Sequence, residues 1–153
     1  MAVKTAVNMI KADAMPLAGG QADIQYLLRN RKEHTHLPVK GADPRDQIAL
    51  LIAERPLTVV AVTLVPEDTQ SADADMNSLV LLKADGAGGP GTSFDSIDST
   101  STDYIEARKI SFSINEATDK LAAGEVLFLD YTLNGTGATL IPAMTLHVEY
   151  RID

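Results

Sequence analysis

The clearest strand pattern in the 153-residue chain is Met144-Thr-Leu-His-Val-Glu-Tyr-Arg-Ile152. Its apolar and polar residues alternate one by one. In an extended strand, Met144, Leu146 and Val148 share one face with the later apolar residues, while His147 and Glu149 point to the other face. This pattern predicts a strand that packs on a core on one side and meets water on the other.

Upstream of this strand, five other segments carry strand signals, because they are rich in β-branched or aromatic residues and are bounded by turn residues. They are Ile48–Ala53, Leu57–Val65, Ser78–Lys83, Tyr104–Phe112 and Val126–Leu133. A type I′ hairpin turn is expected at Asn134-Gly135, followed by a short returning strand over Thr139–Ile141.

Helix signals are scarce in the same region. Asn115 is a good cap for a turn or two of helix through Leu121, with Gly124 as a left-handed terminator. Many short strands without a recurring helix predict an all-β protein, an antiparallel β-sandwich of jelly-roll-like type.

Composition narrows the function classes. A chain with 45% hydrophobic residues and no cysteine fits one soluble domain without thiolate zinc sites, iron–sulfur clusters or cysteine nucleophiles. The net charge of −8 argues against general nucleic-acid binding, which needs a basic face. No apolar run is long enough for a membrane span, and the first residues are too polar for a signal peptide. We expect no cofactor.

The N-terminal part differs from the rest of the chain in charge and pattern. Residues 1–47 carry seven basic and five acidic side chains, whereas the remainder is strongly acidic. Ala14–Gly20 is interrupted by proline and glycines, Ala22–Asn30 fits either a strand or two helical turns, and Arg29–His36 has the polar character of a connector. These features predict an extended N-terminal arm over 1–46 and a sandwich body over 47–153.

Two long polar segments, Pro66–Asn77 and Ala84–Asp103, are predicted to be functional or interface loops. Asp95, Asp98 and Asp103 could offer oxygen ligands to calcium, but the spacing of an EF-hand is absent, which favours a solvated acidic loop. The glycines within 86–91 are not followed by Gly-Lys-Ser/Thr, so a phosphate-binding loop is not expected there.

Metal and hydrolytic sites are weakly indicated. His34 and His36 would point the same way on a strand, but no third ligand is evident, which favours surface histidines. His147 with a serine at 111 or 113 and an aspartate at 130 would need to converge, and no Gly-x-Ser-x-Gly elbow is present. The ordered motifs of trimeric nucleotide hydrolases such as the dUTPases are also missing, so we expect no enzyme.

The order of strands and turns from Gln47 to Asp153, about two-thirds of the chain, resembles the small β-sandwich decoration, or cement, proteins of tailed-bacteriophage capsids. The segments that carry the resemblance are Ala53–Pro66, Asn77–Leu82, Leu121–Leu129, Gly135–Gly137, Ile141–Pro142 and Leu146–Glu149. The resemblance implies a jelly-roll-like body, a homotrimer, attachment to the major capsid protein on the outer surface of the virion, and stabilisation of the head. Synthesis in the host cytoplasm would follow.

The residues expected to contact a partner lie in the predicted arm. They are Ile24, Tyr26, Leu27, Leu28, Arg29, Arg31 and Lys32. The apolar members would lie across a neighbouring surface and the basic ones would pair with acidic groups there, although the same segment could instead fold back on its own body. A glycan-binding or fibre-associated module is the alternative function, with Phe94 as the aromatic residue expected in a loop and free to stack on a sugar.

Overall fold

The computed structural model describes residues 30–37, 47–85, 87, 91–132, 134–136 and 138–153. Within these ranges the secondary structure is nine β-strands, and no helix is present. The strands are β1 (Asn30–Leu37), β2 (Ile48–Ile52), β3 (Leu57–Pro66), β4 (Ser78–Ala84), β5 (Thr92–Ile97), β6 (Ile110–Ser111), β7 (Lys120–Leu121), β8 (Val126–Thr132) and β9 (Met144–Ile152).

These strands form two sheets, and every pairing between them is antiparallel. The first sheet has the order β1-β9-β3-β6, with β7 also pairing with β3, and the second has the order β2-β8-β4-β5. Both β6 and β7 pair with β3, at different places along it, so together they take the position of one interrupted strand. The chain then crosses repeatedly between two four-stranded sheets, which is the jelly-roll arrangement. The predicted all-β, jelly-roll-like sandwich is confirmed.

The core lies between the two sheets, and the alternation along β9 supplies its centre. Met144, Leu146 and Val148 are buried there, as the sequence pattern predicts, while His147 and Glu149 lie on the outer face. Buried residues contributed by the other strands include Leu57, Val59, Val62, Leu64, Leu79, Leu81, Leu127, Leu129 and Tyr131. Burial of these apolar faces is the main force that holds the sheets together.

One predicted strand is largely wrong, and another was missed. Only Ile110–Ser111 of the segment predicted at Tyr104–Phe112 is a strand, because Ala107 has a φ of 58°, which ends any extended run. Thr92–Ile97, within the predicted loop, forms β5 on the edge of the second sheet beside β4. A strand at a sheet edge can be polar because much of its surface meets water, so its sequence carries little apolar signal.

The connector predicted over Arg29–His36 is also wrong. Residues 30–37 form β1, which pairs with β9 in continuous register from Asn30 opposite Arg151 to Leu37 opposite Met144. Leu37 is fully buried, while Lys32, His34 and His36 are exposed. Residues 30–37 are therefore part of the sandwich. Residues 1–29 and 38–46 lie outside the described residues, and the arm–body division stays a prediction for them.

The turn predictions have mixed outcomes. The helix predicted from Asn115 through Leu121 is wrong. Asn115 begins a single turn, in which its Oδ1 accepts from the Ala117 amide at 3.1 Å, and Lys120–Leu121 is β7. Gly124 has the expected left-handed φ of 90°. The hairpin predicted at Asn134-Gly135 is wrong. Gly135 has a φ of 50°, which such a turn can use, but no strand returns from it to pair with β8 among the described residues. This part of the chain leads from β8 in the second sheet to β9 in the first, which do not pair with each other. Of the short strand predicted over Thr139–Ile141, Thr139 makes only an isolated parallel bridge to Met76.

Candidate interaction surface

Two edge strands, β1 and β2, lie on the same side of the sandwich. β1 pairs only with β9 and β2 pairs only with β8 among the residues that the structure describes. An open edge offers unpaired amide and carbonyl groups to another chain, and charged side chains protect such edges from unselective pairing. Arg31, Lys32 and Glu33 supply exposed charges on β1. This side of the molecule is therefore suited to selective contact.

The outer face that β1 shares with β9 is crossed by contacts between basic or histidine side chains and carboxylates. Lys32 Nζ donates to Glu149 Oε1 at 2.6 Å, and His36 Nε2 lies 3.0 Å from Glu67 Oε1. Arg151 Nη1 lies 3.2 Å from Glu116 Oε2 farther along the face. The Lys32 and Glu149 side chains are 64% and 41% exposed, so their pairing contributes only about 0–1 kcal/mol to stability and weakens with salt.

Between these ion pairs, two histidines meet across the strands. His34 lies directly opposite His147 in the register of β1 and β9. Their Nδ1 atoms are 2.6 Å apart, and the rings meet edge to face with centroids 4.5 Å apart. One Nδ1 must donate and the other accept, so the contact itself requires that at least one ring have an unprotonated Nδ1. The Nδ1–H of one ring therefore points at the Nδ1 lone pair of the other.

A groove of about 460 Å³ opens where the edges of the two sheets come together. It is lined by Glu33, Leu51, Ile52, Glu54, Arg55, Leu57, Tyr150 and Ile152. Ile52 is 63% exposed, which leaves an apolar side chain available in a mostly charged rim. The Tyr150 hydroxyl donates to Glu33 Oε1 at 3.5 Å, and partial burial, with the nearby Glu33 carboxylate, raises the pKa of Tyr150.

The residues predicted to bind a partner are only partly located. Ile24, Tyr26, Leu27, Leu28 and Arg29 lie outside the described residues. Arg31 and Lys32 both lie in β1, where Lys32 is paired with Glu149 of its own chain. Their role in binding a partner stays a prediction. The sequence pattern did not indicate the groove, because its lining comes from β1, β9 and the segment from the end of β2 to the start of β3, which are distant in sequence.

The glycan-binding alternative required Phe94 to lie in a loop, and it does not. It is in β5, is half-buried and packs against the core cluster. A side chain held in this way lacks the free aromatic face that stacking on a sugar needs. The prediction of Phe94 as an exposed stacking residue is therefore wrong.

The aspartates considered for calcium bind backbone and hydroxyl groups of the protein. Asp95 Oδ2 accepts from the Ser113 amide at 2.6 Å, and Asp103 Oδ1 accepts from the Ala72 amide at 2.8 Å. Asp98 accepts hydrogen bonds from the hydroxyl and amide of Thr100, which lower the pKa of its carboxyl group. The three carboxylates thus organise loops on this side of the sandwich.

The candidate hydrolytic residues do not converge. His147 lies on the outer face of the first sheet, whereas Asp130 belongs to β8 of the second sheet. Ser111 is separated from His147 by the intervening strand β3, since Thr63 pairs with both residues. In the part of the chain that the structure describes, no group of three or more metal-binding side chains is found, and no helix is long and apolar enough to cross a membrane.

Comparisons with known proteins add two distant structural likenesses. No family model matches the sequence, and no curated protein sequence matches it. A chain from the structure of turnip yellow mosaic virus is similar, with 10% identity and a TM-score of 0.38, over 80% of this chain and 92% of that chain. A chain from infectious bursal disease virus strain Gx has 13% identity and a TM-score of 0.35, over 81% of this chain and 34% of that chain.

Proposed function

We propose that this chain is a non-enzymatic structural protein of a virion, a decoration or cement protein that binds the outer surface of a phage capsid and stabilises the head. The observation that carries the proposal is the position of β1. Among the described residues this strand lies at the edge of a jelly-roll sheet, next to the groove, and residues 1–29 of the sequence lead into it. A jelly roll alone does not specify a function, so the argument depends on this edge.

The charge distribution supports attachment through the N-terminal part. The portion after residue 47 is strongly acidic, which keeps an outward-facing body soluble and separates neighbouring copies. The preceding part has a small basic excess and includes the apolar cluster Ile24, Tyr26, Leu27 and Leu28. Fully extended, 29 residues span at most about 100 Å, far enough to reach a neighbouring subunit. Apolar anchors with basic neighbours suit a groove on an acidic protein surface.

The proposed partners are the major capsid protein and other copies of this chain, in a homotrimer. A trimer on a symmetric shell would bind through three linked contacts. Once one contact has formed, the others form at high effective concentration, so modest single contacts give strong attachment. Binding to the assembled shell but not to its dissociated subunits would then stabilise the shell by mass action.

The test uses full-length protein and phage particles isolated from the source of the sequence. Light scattering should give the mass of a trimer, and the protein should co-sediment with particles from which it has first been stripped. Readdition should raise the temperature at which the particles release their DNA. A monomer that neither co-sediments nor changes DNA release would overturn the proposed function.

A matched pair of variants tests the predicted contact residues separately. Leu27→Asp with Leu28→Asp should weaken co-sedimentation by about tenfold or more, because two apolar anchors are lost and charge is buried in their place. Leu140→Asp is the control, since Leu140 is a 53% exposed leucine of the body. Equal binding by both variants would show that the capsid contact lies outside the N-terminal segment, while leaving the virion role intact.

A further inference from the structure

We propose that His34 and His147 form a binding site for a divalent first-row transition-metal ion, which ties the edge strand β1 to β9. The site is independent of the proposed virion role. The sequence had suggested His34 and His36 as a pair on one strand. The structure instead places His34 against a histidine 113 positions away in the chain, and places His36 against Glu67.

The geometry needs only a small adjustment to accept an ion. Two histidine nitrogens bound to one ion at about 2.0–2.1 Å lie about 2.9 Å apart at a 90° angle and about 3.3 Å apart in a tetrahedron. The two Nδ1 atoms are already 2.6 Å apart. His34 is exposed and His147 is half-buried on the outer face, so small side-chain rotations can open this distance without disturbing the core.

The ligand type of the pair suits a first-row transition-metal ion. Neutral imidazole is a preferred ligand for zinc, nickel and copper, and both Nδ1 atoms can offer a lone pair once the donating ring has moved its proton from Nδ1 to Nε2. In the ranges that the structure describes, no third metal-binding side chain joins the pair, and water would supply the other ligands of the ion there. Solvent reaches both rings. Glu149, the next outward-facing residue of β9, is occupied by Lys32 at 2.6 Å.

Binding would act on the strand that leads to the N-terminal segment. The two ligands come together only when β1 is paired with β9, so the ion binds the paired state and not the unpaired one. Its binding should therefore hold β1 against the sheet. An edge strand with one neighbour is the part of a sheet that opens most readily, which makes such a clip measurable.

The experiment is a calorimetric titration of ZnCl₂, and separately of NiCl₂, into the full-length protein at pH 7.5. One ion per chain should bind. His34→Gln and His147→Gln should each weaken this binding by about tenfold or more, since even residues that only support a ligand cost 10–100-fold in affinity. His36→Gln is the matched control and should retain wild-type affinity. Unchanged binding in His147→Gln, or equal loss in His36→Gln and His34→Gln, would overturn the assignment.

A second measurement uses the wild-type chain alone and does not depend on how the variants fold. Zn²⁺ should shift the ring resonances of His34 and His147 and slow amide hydrogen exchange along β1 relative to β4. Resonance shifts confined to other residues, or unchanged exchange in β1 at saturating Zn²⁺, would refute the clip. Absence of any binding up to millimolar Zn²⁺ and Ni²⁺ would refute the site itself.

Discussion

Removing the Tyr104 hydroxyl should destabilise the protein although the change is a single atom. Tyr104 is fully buried, and its hydroxyl lies 2.7 Å from the hydroxyl of Ser99, which is also fully buried. The tyrosine also forms a bridge to Gln70, which joins two segments that are irregular apart from this contact. Tyr104→Phe preserves the ring and its packing but leaves the Ser99 hydroxyl without its partner.

The magnitude at neutral pH follows from this burial. An unpaired buried hydroxyl costs about 1–3 kcal/mol, so Tyr104→Phe and Ser99→Ala should each lower the free energy of unfolding by an amount in that range. The double variant removes both partners together. It should therefore be less destabilised than the sum of the two single variants, with a coupling of about 1–2 kcal/mol.

Alkaline pH provides an independent check on the same residue. Burial raises the pKa of Tyr104 to about 12 from its usual 10.0. Between these values the unfolded chain loses the phenolic proton while the folded chain keeps it, so the free energy of unfolding falls as pH rises. The contribution is fully present below pH 10, has fallen by about 2 kcal/mol at pH 12 and is lost at higher pH, for a total of about 3 kcal/mol. In Tyr104→Phe this component of the fall should be absent.

The assay is urea unfolding followed by circular dichroism, at pH 7 for the four proteins of the cycle and at several pH values up to 11.5 for wild type and Tyr104→Phe. Additive single-variant effects would show that the two hydroxyls do not interact. Parallel stability curves above pH 10 would show that Tyr104 does not remain protonated in the folded state. Either result would refute the reasoning about this pair.

Two further predictions concern turns and the core. Gly135→Ala should lower the free energy of unfolding by about 2–4 kcal/mol, because φ is 50° and a Cβ would overlap the Asp75 carboxylate. Gly124→Ala has a φ of 90° but open space around the Cβ, so chemical denaturation should show a loss of only about 1–2 kcal/mol. Leu146→Ala, at a fully buried core position, should lower the free energy of unfolding by about 2–5 kcal/mol. Leu140→Ala, at a position that is 53% exposed, should lower it by less than about 1 kcal/mol. Equal shifts of the thermal unfolding midpoint in the two variants would contradict the placement of the core.

The strands that could be predicted are those with a strong apolar pattern. Leu57–Val65 and Met144–Ile152 supply the central strands of the first sheet, and both have residues buried between the sheets. Val126–Leu133, predicted from its apolar run, contains the observed β8, Val126–Thr132. In each case the residues themselves carry the reason for the structure, because apolar side chains at strand spacing must be covered.

The edge strands β1 and β5 could not be predicted from an apolar pattern. β1 has only one fully buried side chain, Leu37, and the remaining described side chains are charged, polar or histidine. β5 contains serines, a threonine and an aspartate, and its pattern is equally weak. Such segments become strands because a neighbouring strand offers hydrogen bonds, which local sequence does not encode.

The features of the candidate site likewise differ in how far they could be predicted. The all-β class, the sandwich, the inward face of β9 and the residue types on its outward face follow from the amino-acid pattern. The pairing of Lys32 with Glu149 and of His34 with His147, and the groove that Tyr150 lines with Ile52, became visible only in the folded chain. The physical reason is that periodicity depends on neighbours along the chain, whereas strand partners are chosen by register between segments more than 100 residues apart.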